Sequence, residues 1–444
     1  MILLPFMISG LMGGLLLLRI LKEPIKMSSF LFLGLALSIG LGCSSLLTFY
    51  SFVIFNTFNP KGILLLHFLL IVFLCIKLNI VIKPSTIPIA HLGQTLVFWT
   101  IWIVFFFVIW TISKHHPFGE WDAWAVWNLK TKFLVADGTS WQDIFRLHWH
   151  TQPDYPWFLP CLNAWVYSVT QKDLALVAQS TSVVFAVSMG ILLFAGLQRY
   201  LNPYVALLAS GLLITNRSYI FLATAQYADI VLAYYLLAAY IVFTLIMQKE
   251  NKNFVCVYGL SLGFLPFIKN EGIIISLLLL MIFLLTIVLE NGRALSFKKE
   301  MALKLLGFYC LSAFATFLFK IFLAPPNRDI TFTQLSSLPT LFSLERCQLI
   351  IQSVIAELFN PQWEFLWIFL LFMLIVGWKK YFLNENKFLL LFFGLYALVV
   401  FVIYLLTMNF DLSWRLSRTV PRILFYLLPS ILFFSFYVHG RRIS

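Results

Sequence analysis

Apolar runs long enough to cross a lipid bilayer recur along this chain from residue 2 to residue 438. A helix needs about 20 such residues to span the hydrocarbon, because lipid offers no partner to an unpaired backbone group. The runs lie near 2 to 18, 29 to 53, 63 to 82, 94 to 113, 174 to 198, 203 to 221, 229 to 247, 254 to 269, 272 to 289, 301 to 323, 363 to 377, 388 to 407 and 422 to 438. They predict an all-α polytopic membrane protein with about 13 transmembrane helices. Composition agrees, since 61% of the 444 residues are hydrophobic and 11% are charged.

The first run lacks a basic start and a small-residue cleavage site, and Arg19, Lys22 and Lys26 follow it. A retained span with its N-terminus outside is therefore expected, rather than a secretory signal. Alternation from there can be checked against charge. The loops it places inside carry 17 of the 31 basic residues and five acids (Glu23, Glu250, Glu290, Glu300 and Glu385), and the outer side is nearly balanced. Almost all of the net charge of +13 is thus a positive-inside signal, and it gives no support to nucleic-acid binding.

The outer charges concentrate in segments 114 to 173 and 324 to 362 and in turns at 217 to 229, 269 to 271 and 408 to 422. Acids and bases gathered on one face beside apolar spans suit a charged, membrane-borne substrate; an ordinary solvated surface is the alternative. The six cysteines show no CxxC spacing, and Cys161 and Cys347, both outside, are the one pair placed to form a disulfide. His148 and His150 are two apart, which on a helix turns them to different faces.

The stretch HHPFGEWDAWAVWNLK (115 to 130) sets Glu120 and Asp122 among Trp121, Trp124 and Trp127. It reads as an amphipathic helix lying in the interface, with the acids at its N-terminus where a cap is also a plausible role. PDYPWFLPCLNAWVYSVTQ (153 to 171) reads as a second interfacial helix, since counting it as a span would invert every later loop against the charge rule.

An acidic motif opening the first large outer loop, two interfacial helices and a string of short-looped spans resemble the GT-C superfamily of membrane glycosyltransferases, near the bacterial aminoarabinose transferases and protein O-mannosyltransferases. The likeness covers about residues 94 to 290 and departs in having three spans before the usual first one. It implies three parts: N-terminal helices (1 to 92), a GT-C-like core (93 to 323) and an outer loop with C-terminal helices (324 to 444). It further implies a sugar donor carried on a polyprenyl phosphate, a hydroxyl acceptor on a glycan, lipid or protein, and a site on the outer face of the bacterial cytoplasmic membrane.

Residue by residue, the resemblance makes Asp122 the catalytic base with Glu120 beside it. In TAQYADIVLAYYLL (224 to 237) it points to Tyr227 and Asp229, and in GLSLGFLPFIKNEG (259 to 272) to Lys269 with Asn270 and Glu271. His150, Asp154 and Tyr155 open the second helix. Lys269 and one or more of Arg415, Arg418 and Arg422 of DLSWRLSRTVPR (411 to 422) are expected to hold the leaving phosphate, the arginines on chemistry alone, because a guanidinium can grip two phosphate oxygens. Asp229 at a helix start and Lys269 at a span end also fit a cap and a snorkelling lysine. Glu120, Asp122 and Asp229 could share a divalent cation, although no obligatory metal is expected. A polyprenyl-linked glycan polymerase or ligase, or a lipid-linked sugar flippase, are the other functions such a chain could have.

Overall fold

The computed structural model describes residues 1–22, 27–76, 92–136, 141–289, 294–326, 343–383, 386–407 and 411–440, with backbone alone at 92–95 and 149. Outside them lie Glu23, Lys26, Lys77, Lys83, Glu290, Arg293, Glu385, Arg441 and Arg442 of the expected inner loops. So do 77 to 82 of the third apolar run, 327 to 342 of the second outer segment and 408 to 410 of the last outer turn.

The described chain is helical: α1 (Leu4–Leu21), α2 (Ser29–Phe55), α3 (Pro60–Ile76), α4 (Leu92–His115), α5 (Asn128–Val135), α6 (Phe158–Thr170), α7 (Leu174–Gln198), α8 (Pro203–Ile214) and α9 (Arg217–Thr224). There follow α10 (Ala228–Met247), α11 (Phe254–Ile268), α12 (Asn270–Leu289), α13 (Leu295–Leu318), α14 (Leu344–Leu358), α15 (Leu366–Val376), α16 (Asn386–Leu406) and α17 (Leu412–Gly440). All 13 apolar runs carry helix. Among the described residues, nine helices are long and apolar enough to cross a bilayer, or ten if α8 and α9, bent by 63°, form one span. The apolar helices α3, α11 and α15 are shorter, at 17, 15 and 11 residues.

Each break has a local cause. Asn216 caps α9 by accepting from the Tyr219 amide at 3.1 Å and donates to the Trp363 carbonyl at 2.8 Å, so the chain turns there and α15 starts beside the bend. α11 stops two residues after Pro266, Lys269 is extended, and α12 begins at once. Gly272 lies against the Leu265 carbonyl where a Cβ has no room, and Tyr258 donates to the Leu279 carbonyl at 3.4 Å. These pairings make α11 and α12 an antiparallel hairpin with Lys269 at its tip.

The central helix is α10, buried over nearly its whole length, whereas α4, α13 and α16 leave most of their apolar surface open. Lipid tails are as apolar as leucine, so close packing and interhelical hydrogen bonds must hold such a bundle together. On α10, Tyr234 donates to the Gly34 carbonyl at 2.7 Å and Tyr240 to the Leu389 carbonyl at 3.1 Å.

The two ends of the bundle differ. At one, Asn251 donates to the Leu21 carbonyl at 3.0 Å, Arg199 pairs with Glu250, and Lys304 reaches Asn253 at 3.3 Å. All of these residues lie in or beside connections that alternation assigns to the inner side. Asp122, Asp229, Lys269 and Arg422 meet at the other end.

One expectation changes. α6 does not lie along a surface; it is enclosed by α1, α2, α3, α5 and α7. Ser45 donates to the Phe158 carbonyl at 2.7 Å, and the Trp165 indole donates to Ser9 at 3.1 Å, so polar groups of α1 and α2 hold the start and the middle of α6 in the bundle.

Candidate functional site

The loop after α4 is fastened to the turn that opens α10. Gly119 has φ +66°, and a Cβ there would stand 2.6 Å from the Ala225 carbonyl oxygen. That closeness lets the Glu120 amide donate to the same carbonyl at 3.2 Å. Gln226 and Gln179 donate to the Pro117 carbonyl at 3.1 and 3.0 Å, and Asn128 donates to Gln226 at 2.9 Å. A single π-helical turn, Ala123–Trp127, joins the loop to α5; such turns are frequent at functional sites. Trp121 and Trp124 stay exposed as an edge-on pair with centroids 4.4 Å apart, while Trp127 turns inward. The three tryptophans therefore do not form one stripe.

Asp122 stands just before the π-turn, and its side chain caps nothing. It pairs instead with Arg422 Nη1 at 2.5 Å. The same guanidinium gives Asp229 Oδ2 two bonds, from Nη2 at 2.7 Å and Nε at 3.2 Å, and lies 4.6 Å from the Tyr227 ring centroid. Asp229 receives a second cation, Lys269 Nζ, at 3.0 Å, and Lys269 also meets Glu271 at 3.0 Å. One ion-pair chain thus runs Asp122–Arg422–Asp229–Lys269–Glu271. It is deepest at its middle, with the Asp229 side chain 0% exposed and those of Asp122 and Glu271 at the two ends 19% and 31%. Neither a cap nor a snorkelling lysine describes these residues: Asp229 is ion-paired inside the first turn of α10, and Lys269 is 4% exposed.

Burial and the Asp122 carboxylate push the Tyr227 phenol up to about 12. It therefore remains a neutral hydroxyl, and it accepts from the Asp122 amide at 3.4 Å. A crevice behind Tyr227, lined in part by Asn128, Asn163 and Gln226, is too narrow to admit a water molecule.

The hairpin tip extends the cluster. Asn270 Nδ2 donates to Asp154 Oδ2 at 2.9 Å, and Lys320, on a π-helical turn after α13, donates to the Asp154 carbonyl at 2.6 Å with its carboxylate 3.7 Å away. Lys130 is 1% exposed, donates to the Gln152 carbonyl at 2.7 Å and lies 5.3 Å from the Trp127 ring and 5.7 Å from that of Tyr155. Burial lowers its pKa to about 7.

Of the expected site residues, Asp122, Tyr227, Asp229, Lys269, Asn270, Glu271, Asp154 and Arg422 gather here, and Tyr155 stacks on Trp127 at 5.6 Å. The Glu120 carboxylate is half-buried and pairs with none of the described residues. On α17, Arg415 is half-buried and Arg418 exposed. His150 is exposed, and its ring stacks on His148 at 4.6 Å instead of facing away. The six cysteines are free. Among the described residues no cluster of His, Cys, Asp or Glu could hold a metal ion. Between Asp122 and Asp229, the guanidinium occupies the place a shared ion would need. Lys320 and Lys130 were missed, yet Lys320 ends an apolar run just as Lys269 does.

Comparison of the chain with protein-family models, with curated proteins and with solved structures finds no match. The fold itself defines a class, a multi-pass all-α membrane protein.

Proposed function

We propose that this chain is an inverting membrane glycosyltransferase of about thirteen crossings, α3, α11 and α15 completing the set as short spans. It moves a sugar from a polyprenyl-phosphate carrier to a hydroxyl of a glycan, lipid or protein on the outer face of a bacterial cytoplasmic membrane. The observation that carries this reading is Arg422, shared between a buried carboxylate, Asp229, and a more accessible one, Asp122. The resemblance of the EWD loop and of the spans around it to GT-C enzymes points the same way.

The chemistry follows from that sharing. At rest, the Asp122 carboxylate is held by Arg422. An arriving carrier phosphate is a third anion at the guanidinium, and Asp122 is the partner that gives way, because Asp229 is deeper and also holds Lys269. The freed carboxylate accepts the proton of the acceptor hydroxyl, whose oxygen bonds to the anomeric carbon. The bond from that carbon to the phosphate oxygen breaks, and its electron pair leaves with the phosphate. Arg422 meets the charge as it grows, which favours the transition state over the ground state. Attack opposite the leaving group inverts the anomeric centre.

The test is purified protein in liposomes with a radiolabelled polyprenyl-phosphate sugar. Transfer releases free polyprenyl phosphate and yields an inverted glycoside. Movement of the intact lipid between leaflets without release would replace this reading with a flippase.

A further inference from the structure

We infer that the tip of the α11–α12 hairpin is the sugar-hydroxyl subsite, with Asn270 Oδ1 and Glu271 Oε2 as its acceptors, and that the phosphate binds away from it. This rests on the glycosyltransferase reading. Each tip residue gives one polar atom to the protein and keeps another back. Asn270 Nδ2 donates to Asp154 Oδ2 at 2.9 Å, and because a carboxylate only accepts, the amide nitrogen must face it. Asn270 Oδ1 is then the remaining atom, buried and without a partner among the described residues. Glu271 Oε1 is taken by Lys269 at 3.0 Å, while Glu271 Oε2 is buried and equally unpartnered among the described residues.

A buried acceptor without a donor costs free energy, so neighbouring residues that leave two such atoms describe a site waiting for donors. An ionised phosphate diester has only acceptors and cannot satisfy them. A sugar ring carries a donor on every hydroxyl. Lys269 fits the same division: its side chain is 5% exposed and already faces Asp229 and Glu271, whereas that of Arg422 is 18% exposed. Lys269 is therefore a positioning residue that orients both carboxylates, rather than a phosphate clamp.

Binding of undecaprenyl phosphate, bare or carrying glucose, mannose or galactose, separates the two halves of the ligand. The parent should bind at least one sugar-bearing carrier on the order of 10-fold or more tighter than the bare one, as hydrogen bonds to buried acceptors allow. Asn270→Ala with Glu271→Ala should erase that preference and leave bare-carrier affinity unchanged; the conservative Asn270→Ser with Glu271→Ala serves if the first pair unfolds. An equal loss for bare and sugar-bearing carriers, a preference that survives substitution, or a parent with no preference overturns the subsite. A parent that binds no bare carrier overturns the donor reading itself.

Discussion

At Asp229 two cations converge on one carboxylate that is wholly withdrawn from solvent. Removing one member of such a group leaves the others charged and buried, which typically costs about 3–5 kcal/mol. Asp229→Ala is accordingly expected to lower stability on that scale in detergent unfolding; a near-parental midpoint would mean that Lys269 and Arg422 find other partners. Lys130 gives a pH signature. Its folded pKa of about 7 lies below the roughly 10.4 of an unfolded lysine. Between those values the unfolded chain holds more protons, so stability rises with pH from about 7 upward and the cost of burying the charge is fully present below 7. The parent's Tm should gain on that of Lys130→Met between pH 7 and pH 9, whereas parallel curves would show the folded lysine charged across that range, as in the unfolded chain. In the sequence, the GT-C resemblance points to Asp122, Asp229 and Lys269, and the chemistry of a guanidinium to Arg422, all in charged turns beside apolar runs. Both pass over Lys130, which reads as a surface lysine closing a short helix, since burial depends on where the 152–155 segment folds back.

At the scale of elements, the apolar periods made nearly every helix legible, but not its partners. The proline-broken 153–171 segment has the length and composition of an interfacial helix. What draws it inside is a groove between α1, α2 and α3, with Ser9 and Ser45 ready to meet it, and local sequence carries no trace of that groove. The bend between α8 and α9 hangs on Asn216 in the same way, through a carbonyl 147 residues away in sequence. Gly119, by contrast, announces its turn. Gly119→Ala must force a side chain into a positive-φ conformation and against the Ala225 carbonyl, costing on the order of 1–2 kcal/mol in backbone strain. Because that turn hands Asp122 to Arg422, transfer should fall by about 10-fold or more while the helices persist, since a small displacement of a catalytic group is enough. Full activity in a folded Gly119→Ala protein would separate the turn from the chemistry.

Over the whole molecule, charge alternation and architecture describe the same two ends. Arg199, Glu250 and Lys304 cluster at one, and the Asp122–Glu271 chain lies at the other. The positive-inside rule predicts that the second end faces outward. In a cysteine-free background, an impermeant maleimide applied to intact cells should label Ser417→Cys and not Lys252→Cys, both of which are exposed positions. The reverse pattern would put the carboxylates in the cytosol. Among all these tests, turnover of a labelled polyprenyl-phosphate sugar by Asp122→Asn bears most directly on the claim that one carboxylate, released from its arginine, accepts the proton. The account predicts a folded variant that still binds the bare carrier and releases no polyprenyl phosphate; release at the parental rate would contradict it.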